Sequence, residues 1–150
     1  MNLGSSDLGS RTILHWSAYN GTLPITRCAL FFGADIAAVD GTGDTALHWA
    51  CIKGNMDAVM ELLFSPSNTD FKKLLSAVDA ENRTARDWVS VAWGPDMLET
   101  FDEIVRLREL KPVLSGKSWI RNQGLLYIVS LPLHVNYLLN CLLVLENRGL

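Results

Sequence analysis

A repeated pattern with a period of 33 residues constrains the fold of this chain more than any other feature. The segment from Thr12 to Ala18 resembles the segment from Thr45 to Cys51, which begins 33 residues later. Each segment carries Leu-His-Trp after its threonine, and each is followed by a glycine, Gly21 or Gly54. Repeats of this length bury their apolar faces only against neighbouring repeats. The sequence therefore predicts a stack of small units.

Each copy has the pattern of two short helices. Thr45 can cap the first helix, because its hydroxyl can accept an unpaired backbone N–H. Gly54 can adopt the left-handed conformation that ends this helix. Asn55, and Thr22 in the first copy, are expected to cap the second helix, in which apolar residues recur at helical spacing.

These residues resemble the ankyrin repeat, whose signature is Thr-Pro-Leu-His, a small residue, a glycine and a Leu-Leu pair. Ala46 stands where the family usually has proline. Residues 33–45, Gly-Ala-Asp-Ile-Ala-Ala-Val-Asp-Gly-Thr-Gly-Asp-Thr, are similar to the family's hairpin between repeats. The resemblance implies an all-α solenoid with short β-hairpin connections. It implies an ankyrin stack of about three helix pairs, to which the sequence adds an apolar C-terminal helix.

The resemblance divides the chain into an N-terminal piece, three repeats and a tail. Residues 1–10 are a truncated hairpin or a flexible terminus, and the repeats occupy 11–44, 45–83 and 84–109. Asp7 precedes Thr12 by the same interval that separates Asp40 from Thr45, so we expect the chain to begin inside a hairpin. This start indicates a truncated piece or gene model of a longer repeat protein; a degenerate flexible terminus is the alternative.

The third repeat begins late and is degenerate. Thr84 lies 39 residues after Thr45, and we assign the excess to residues 65–70, where we expect an extra helical turn capped by Thr69. Asn82 replaces a turn glycine and is expected to have a positive φ. Pro112 is expected to break the last helix.

The tail, 110–150, is a linker followed by an apolar segment. Residues 125–145 are long enough to cross a bilayer, but polar residues near the middle oppose insertion. A membrane helix, a buried capping helix and the non-native end of a truncated gene model remain open. Lysine and arginine residues before the segment would hold the repeats on the cytosolic side of a membrane.

Composition argues against several classes of function. A net charge of −3 offers no broad basic field for nucleic acid. Cys28, Cys51 and Cys141 lack metal-ligand spacing and favour a reducing compartment, so we expect a cytoplasmic location, with membrane association left open. The N-terminus lacks the pattern of a signal peptide.

No catalytic constellation is found, so we predict a protein that is not an enzyme and that has no cofactor, metal or small-molecule substrate. His15 and His48 hold the family's histidine position, which implies hydrogen bonds to the turn. The Gly41-x-Gly43 pair is a hairpin turn rather than a phosphate loop. Trp16 and Trp49 are expected to fill the groove between helices; a ligand cage is the alternative.

The predicted activity is binding of a partner protein of unknown identity. By resemblance, partners meet the hairpin tips and the exposed ends of the first helices. In this sequence those positions are Arg11, Tyr19, Asn20, Val39, Thr42, Asp44, Ile52, Lys53, Glu81 and Arg83.

A second resemblance is to the N-terminal part of the ankyrin-repeat protein palmitoyltransferases. Paired Leu-His-Trp repeats, a closing Thr-x-Arg-Asp, basic residues and an apolar run carry it. In that family the repeats recruit substrates and transmembrane helices follow, but the Asp-His-His-Cys catalytic motif is absent from these residues. The alternatives are therefore a fragment of such an enzyme or a membrane-anchored adaptor.

Overall fold

The computed structural model describes residues 6–65 and 68–114. The apolar segment predicted at 125–145 lies outside these residues. The chain divides into two compact units, residues 1–105 and 106–150, and the first two predicted repeats, 11–44 and 45–83, belong to the first. The helices are α1 (Ile13–Asn20), α2 (Leu23–Phe31), α3 (Ala46–Lys53), α4 (Met56–Phe64), α5 (Asn68–Ser76), α6 (Ala85–Trp93) and α7 (Pro95–Leu114).

The first two repeats are helix pairs, as predicted. Helix α1 packs against α2 and α3, α3 packs against α4 and α6, and α2 packs against α4. Small side chains on α3 let its neighbours approach, and leucine and valine fill the interior. The largest of the fully buried side chains include Leu14, Leu47, Leu62, Leu63, Val89 and Phe101.

Local chemistry sets the ends of the first helices where we expected. The Thr45 hydroxyl accepts the His48 N–H at 3.5 Å, and the threonine and histidine side chains form a reciprocal cap. Gly54 ends α3 with a φ of 70°, and Asn82 has a φ of 62° in the third turn. These predictions are confirmed. They could be made from the sequence because each interaction involves residues within one turn of chain.

Asn55 and Thr22 stand at the predicted N-cap positions of α4 and α2, but neither side chain makes the expected capping hydrogen bond. The Asn55 side chain does not cap α4; its Nδ2 donates to the carbonyls of Ala18 and Tyr19 at 2.9 and 2.7 Å. The Thr22 hydroxyl donates to the Ser17 carbonyl at 3.3 Å instead of capping α2. The last carbonyls of a helix have no partner inside it. Both side chains satisfy such carbonyls of α1.

Three further expectations differ from the structure. Helix α5 begins at Asn68 and has nine residues, so Thr69 lies inside it rather than at a cap. Helix α7 continues past Pro112 and ends two residues later, at Leu114. Proline has no backbone N–H to donate, but the loss of this one donor does not stop the helix at Pro112. In place of the expected β-hairpins, the described residues contain two isolated antiparallel bridges, Val39–Thr45 and Val78–Thr84.

Neighbouring turns are joined by single backbone hydrogen bonds. The Gly41 N–H donates to the Gly9 carbonyl at 2.8 Å, and the Ala80 N–H donates to the Thr42 carbonyl at 2.9 Å. We refer to the turns that begin at Asp7, Asp40 and Asp79 as turns one, two and three. These bonds bring the three turns side by side.

Replacing Gly54 with alanine should destabilise the protein more than replacing Gly33. Both glycines have a positive φ, which costs an alanine about 1 kcal/mol. A Cβ on Gly54 would also lie 2.8 Å from Trp93, whereas one on Gly33 meets nothing within 4 Å. Displacing the Trp93 ring should add roughly 1–2 kcal/mol. Urea unfolding followed by circular dichroism measures both losses, and equal losses would contradict the packing shown for Trp93.

Candidate functional site

One aspartate organises each turn. The Oδ1 atom of Asp7, Asp40 or Asp79 accepts the backbone N–H groups two and four residues later, at 2.9–3.1 Å. The aspartate's own N–H donates to the carbonyl of that fourth residue at 2.9–3.1 Å. All three turns therefore share one backbone conformation, fixed by a short side chain at its start.

The second carboxylate oxygen of each aspartate binds a tryptophan. Trp16 Nε1 lies 3.3 Å from Asp7 Oδ2, Trp49 Nε1 3.0 Å from Asp40 Oδ2, and Trp88 Nε1 2.9 Å from Asp79 Oδ2. The indoles are thus held to the turns. The prediction that Trp16 fills the groove between helices is wrong, since 39% of it is exposed.

Sequence reasoning missed this aspartate–tryptophan pairing. The sequence signal for this pairing is an aspartate nine residues before a tryptophan, a spacing that occurs at Trp16, Trp49 and Trp88. The six additional residues of the second repeat leave this spacing intact because they fall after α4.

Aromatic and basic side chains meet beside turns one and two. Trp16 and Tyr19 each contact Trp49 edge to face, with ring centroids 5.5 and 5.3 Å apart. The Arg11 guanidinium lies 4.9 Å from the Trp16 ring, and Lys53 Nζ lies 4.5 Å from the Tyr19 ring. We call these five residues the aromatic–basic cluster.

The turn carboxylates are held in their ionised form. Burial opposes ionisation of Asp7, but hydrogen bonds from Arg11, Gly9 and Trp16 lower its pKa to about 2. The pKa values of Asp40 and Asp79 are likewise lowered by hydrogen bonds that outweigh burial. Backbone, tryptophan and arginine donors thus favour the charged form.

Asp44 in turn two behaves in the opposite way. Burial raises its pKa, and the negative charges of Asp40 and Asp79 add to this effect, whereas a Thr42 hydrogen bond opposes it. The side chain is only 8% exposed. Asp44 therefore lies beneath the surface on which we expected it.

The histidines have the structural role that was predicted. His15 Nδ1 accepts the Thr12 N–H at 3.0 Å, and Nε2 donates to the Asp44 carbonyl at 3.0 Å. His48 makes the same pair of bonds with Thr45 at 3.1 Å and with the Arg83 carbonyl at 3.2 Å. Each ring links its own helix to the next turn.

The structure brings three predicted contact residues, Arg11, Tyr19 and Lys53, into the aromatic–basic cluster. Arg83 lies over Trp88 at 3.9 Å and pairs with Glu81, so these two belong to turn three. The remaining predicted residues lie at exposed or half-buried positions around the first two turns and helices α1 and α3: Asn20, Val39, Thr42 and Ile52.

Within residues 6–65 and 68–114, no three His, Cys, Asp or Glu side chains are grouped as metal ligands would be. Cys28 and Cys51 are free thiols there, and burial raises the pKa of Cys51. No helix in the described part of the chain combines the length and apolar character needed to cross a membrane.

Replacing Asp79 with asparagine should reduce stability and weaken its acid dependence. Because the folded pKa lies below the ordinary 3.8, the carboxylate stabilises the fold above pH 3.8, and this contribution is lost as pH falls through the folded value. We expect a loss of roughly 2 kcal/mol at neutral pH, since a charged acceptor of several hydrogen bonds is removed.

Urea unfolding at about pH 6 and about pH 3 measures this difference, with Asp57→Asn at an exposed position of α4 as the control. The variant should lose less stability between the two pH values than the parent protein or the control loses. An unchanged loss would show that Asp79 does not contribute to the acid dependence.

Comparison with known proteins agrees with the repeat pattern. The family model of ankyrin repeats, in three copies, matches residues 2–95. The chain is 32% identical over 101 residues to palmitoyltransferase AKR1 of Debaryomyces hansenii, which covers 67% of this chain and 11% of that protein.

Two further relatives, one of them not named as a palmitoyltransferase, are similar over shorter stretches. Palmitoyltransferase Hip14 of Drosophila melanogaster is 38% identical over 63 residues, covering 41% of this chain and 10% of that protein. The human Notch-regulated ankyrin repeat-containing protein is 36% identical over 62 residues, covering 41% of this chain and 54% of that protein. The chain spans about a tenth of the length of these two palmitoyltransferases. Its repeats, turns and histidine pattern place it in a known group: the chain belongs to the ankyrin repeat family.

Proposed function

We propose that this chain is a non-catalytic protein-interaction module that presents its turns and the ends of its first helices to a partner protein. The observation that carries the proposal is the aromatic–basic cluster of Arg11, Trp16, Tyr19, Trp49 and Lys53. Ankyrin repeats indicate binding of a protein. Three residues of the cluster, Arg11, Tyr19 and Lys53, are among the contacts that the family resemblance predicts.

The composition of the cluster suits a protein interface. Tryptophan, tyrosine and arginine are the side chains most enriched among residues that dominate binding energies. Here they are held in place before a partner arrives, because Trp16 and Trp49 are bonded to Asp7 and Asp40. Side chains ordered in advance lose less conformational entropy on binding.

The surface extends to turn three. Arg83 repeats the position of Arg11, lying over Trp88 and pairing with Asp79. Since the backbone hydrogen bonds between turns set their spacing, a partner segment that runs across the turns would meet an aromatic side chain at every step. We therefore propose an extended segment of a partner protein as the ligand.

A second candidate is that the chain is the substrate-recruiting part of a membrane-bound palmitoyltransferase. The similarity to proteins of that name, which reaches 67–74% of this chain, favours it. A membrane-anchored adaptor is the related alternative. In either case we propose that the repeats face the cytosol.

Cross-linking from the turn side of α1 tests the proposed surface. A photoreactive amino acid at Asn20, which is exposed beside Tyr19, should cross-link a partner in cells of the source organism. The same group at exposed Asp57 of α4 is the control and should not. Trp16→Ala should reduce the yield about thirtyfold, since removal of a dominant interface side chain costs about 2 kcal/mol.

Equal yields from Asn20 and Asp57, or a yield that Trp16→Ala leaves unchanged, would contradict the proposed surface. Alkaline carbonate extraction of membranes from cells that express the full chain decides between the soluble and anchored alternatives. Retention in the membrane pellet supports an anchor, and release into the supernatant supports a soluble module.

A further inference from the structure

The three turns carry side chains of opposite charge at one position, four residues after the organising aspartate. Turn one has Arg11 there and turn three has Arg83. In both, the arginine Nε pairs with the aspartate Oδ2, at 2.9 Å in turn one and 3.0 Å in turn three. In both, the guanidinium also lies over the tryptophan bonded to that aspartate, at 4.9 and 3.9 Å.

Turn two has Asp44 at this position although its backbone is the same. The Asp44 N–H donates to Asp40 Oδ1 at 3.0 Å, and its carbonyl accepts the Asp40 N–H at 2.9 Å, as in the other turns. The donor to Asp40 Oδ2 in the described structure is the Trp49 indole. The corresponding oxygens of the other turns receive an indole and an arginine.

Asp44 adds a second carboxylate to turn two, and the described residues supply too few hydrogen-bond donors for both carboxylates. The Thr42 hydroxyl lies 2.8 Å from both Asp40 Oδ1 and Asp44 Oδ2, but it has a single hydrogen to donate. Asp44 Oδ1 is buried and has no hydrogen-bond partner among the described residues. An acceptor buried in this way costs free energy, and a positive charge placed near it would reduce that cost.

We infer that turn two binds the arginine side chain of a partner protein, with its guanidinium over Trp49 and donating to Asp40 Oδ2. Asp44, whose N–H is bonded to Asp40 Oδ1, contributes a second negative charge to the turn. This inference rests on the proposed function and specifies what the partner must supply. Turns one and three show the geometry, because there the chain's own arginines make the same contacts.

Arginine fits the position over Trp49 and beside Asp40 Oδ2 better than lysine does. Its guanidinium is planar, so it can lie on an indole face and donate to a carboxylate oxygen at the same time. Thr42 is exposed and Trp49 and Asp40 are half-buried, so a side chain can approach from the turn side. An arginine side chain of a partner segment that crosses the turns would reach this position.

The test is a titration of the full chain with N-acetyl-arginine amide, followed by the indole N–H signals in nuclear magnetic resonance spectra. Trp49→Phe assigns the Trp49 signal. This signal should shift in a saturable manner with N-acetyl-arginine amide and should not shift with N-acetyl-citrulline amide, the uncharged equivalent. A Trp49 shift that is equal for both compounds would overturn the inference.

Asp44→Arg should weaken binding of the arginine compound about tenfold or more. The chain would then supply a guanidinium to Asp40 Oδ2, in addition to that of Arg11, which lies 6.0 Å from the Trp49 ring. The turn accepts arginine at this position, as Arg11 and Arg83 show, so the variant should fold. Glu99→Arg, at an exposed position of α7, makes the same change of charge and should bind as the parent protein does. Equal binding by Asp44→Arg and the parent would overturn the inference.

The two proposals fail separately. If the Asn20 cross-link forms but the arginine compound leaves Trp49 unchanged, the interaction module stands and the arginine site is wrong. If the arginine compound binds at Trp49 but no partner is cross-linked, the arginine site stands and the proposed partner surface is wrong.

Discussion

Each step from one repeat to the next depends on a buried histidine. The rings of His15 and His48 accept an N–H from the start of their own helix and donate to a carbonyl of the following turn. Both rings are completely buried, so a lost partner would leave a polar group without water. In the third repeat Asp87 holds this place and bonds to Thr84 at the start of its own helix. A carboxylate has no proton to donate, which explains why the linkage changes there.

The same arrangement determines the chemistry of the surface. Once the histidines and the bonds between turns have fixed the backbone, the turn aspartates orient the tryptophans, and the residue four positions after each aspartate adds either an arginine or a second carboxylate to the turn. Arginine there offsets the charge of the organising aspartate, as Arg83 does for Asp79, whereas Asp44 adds a second carboxylate. The side chain at this position thus changes the charge of a turn while the hydrogen bonds of its backbone remain the same.

Much of the fold could be predicted because it depends on local contacts and on the period. Thr45, Gly54 and Asn82 act on residues within one turn of chain, so their roles followed from residue type. Asn55 could not be interpreted in this way, because its partners, Ala18 and Tyr19, are 36–37 residues away. The start of α5 and the continuation of α7 past Pro112 were misjudged because helix ends depend on packing as well as on propensity.

The sequence by itself determined the family and the structural role of the histidines, since both follow from a fixed spacing along the chain. Only the tertiary structure decided which predicted contact residues meet. It brought Arg11, Tyr19 and Lys53 around two tryptophans and buried Asp44. The physical reason is that these contacts join side chains of adjacent repeats, and the distance between adjacent repeats is set by packing and by the bonds between turns.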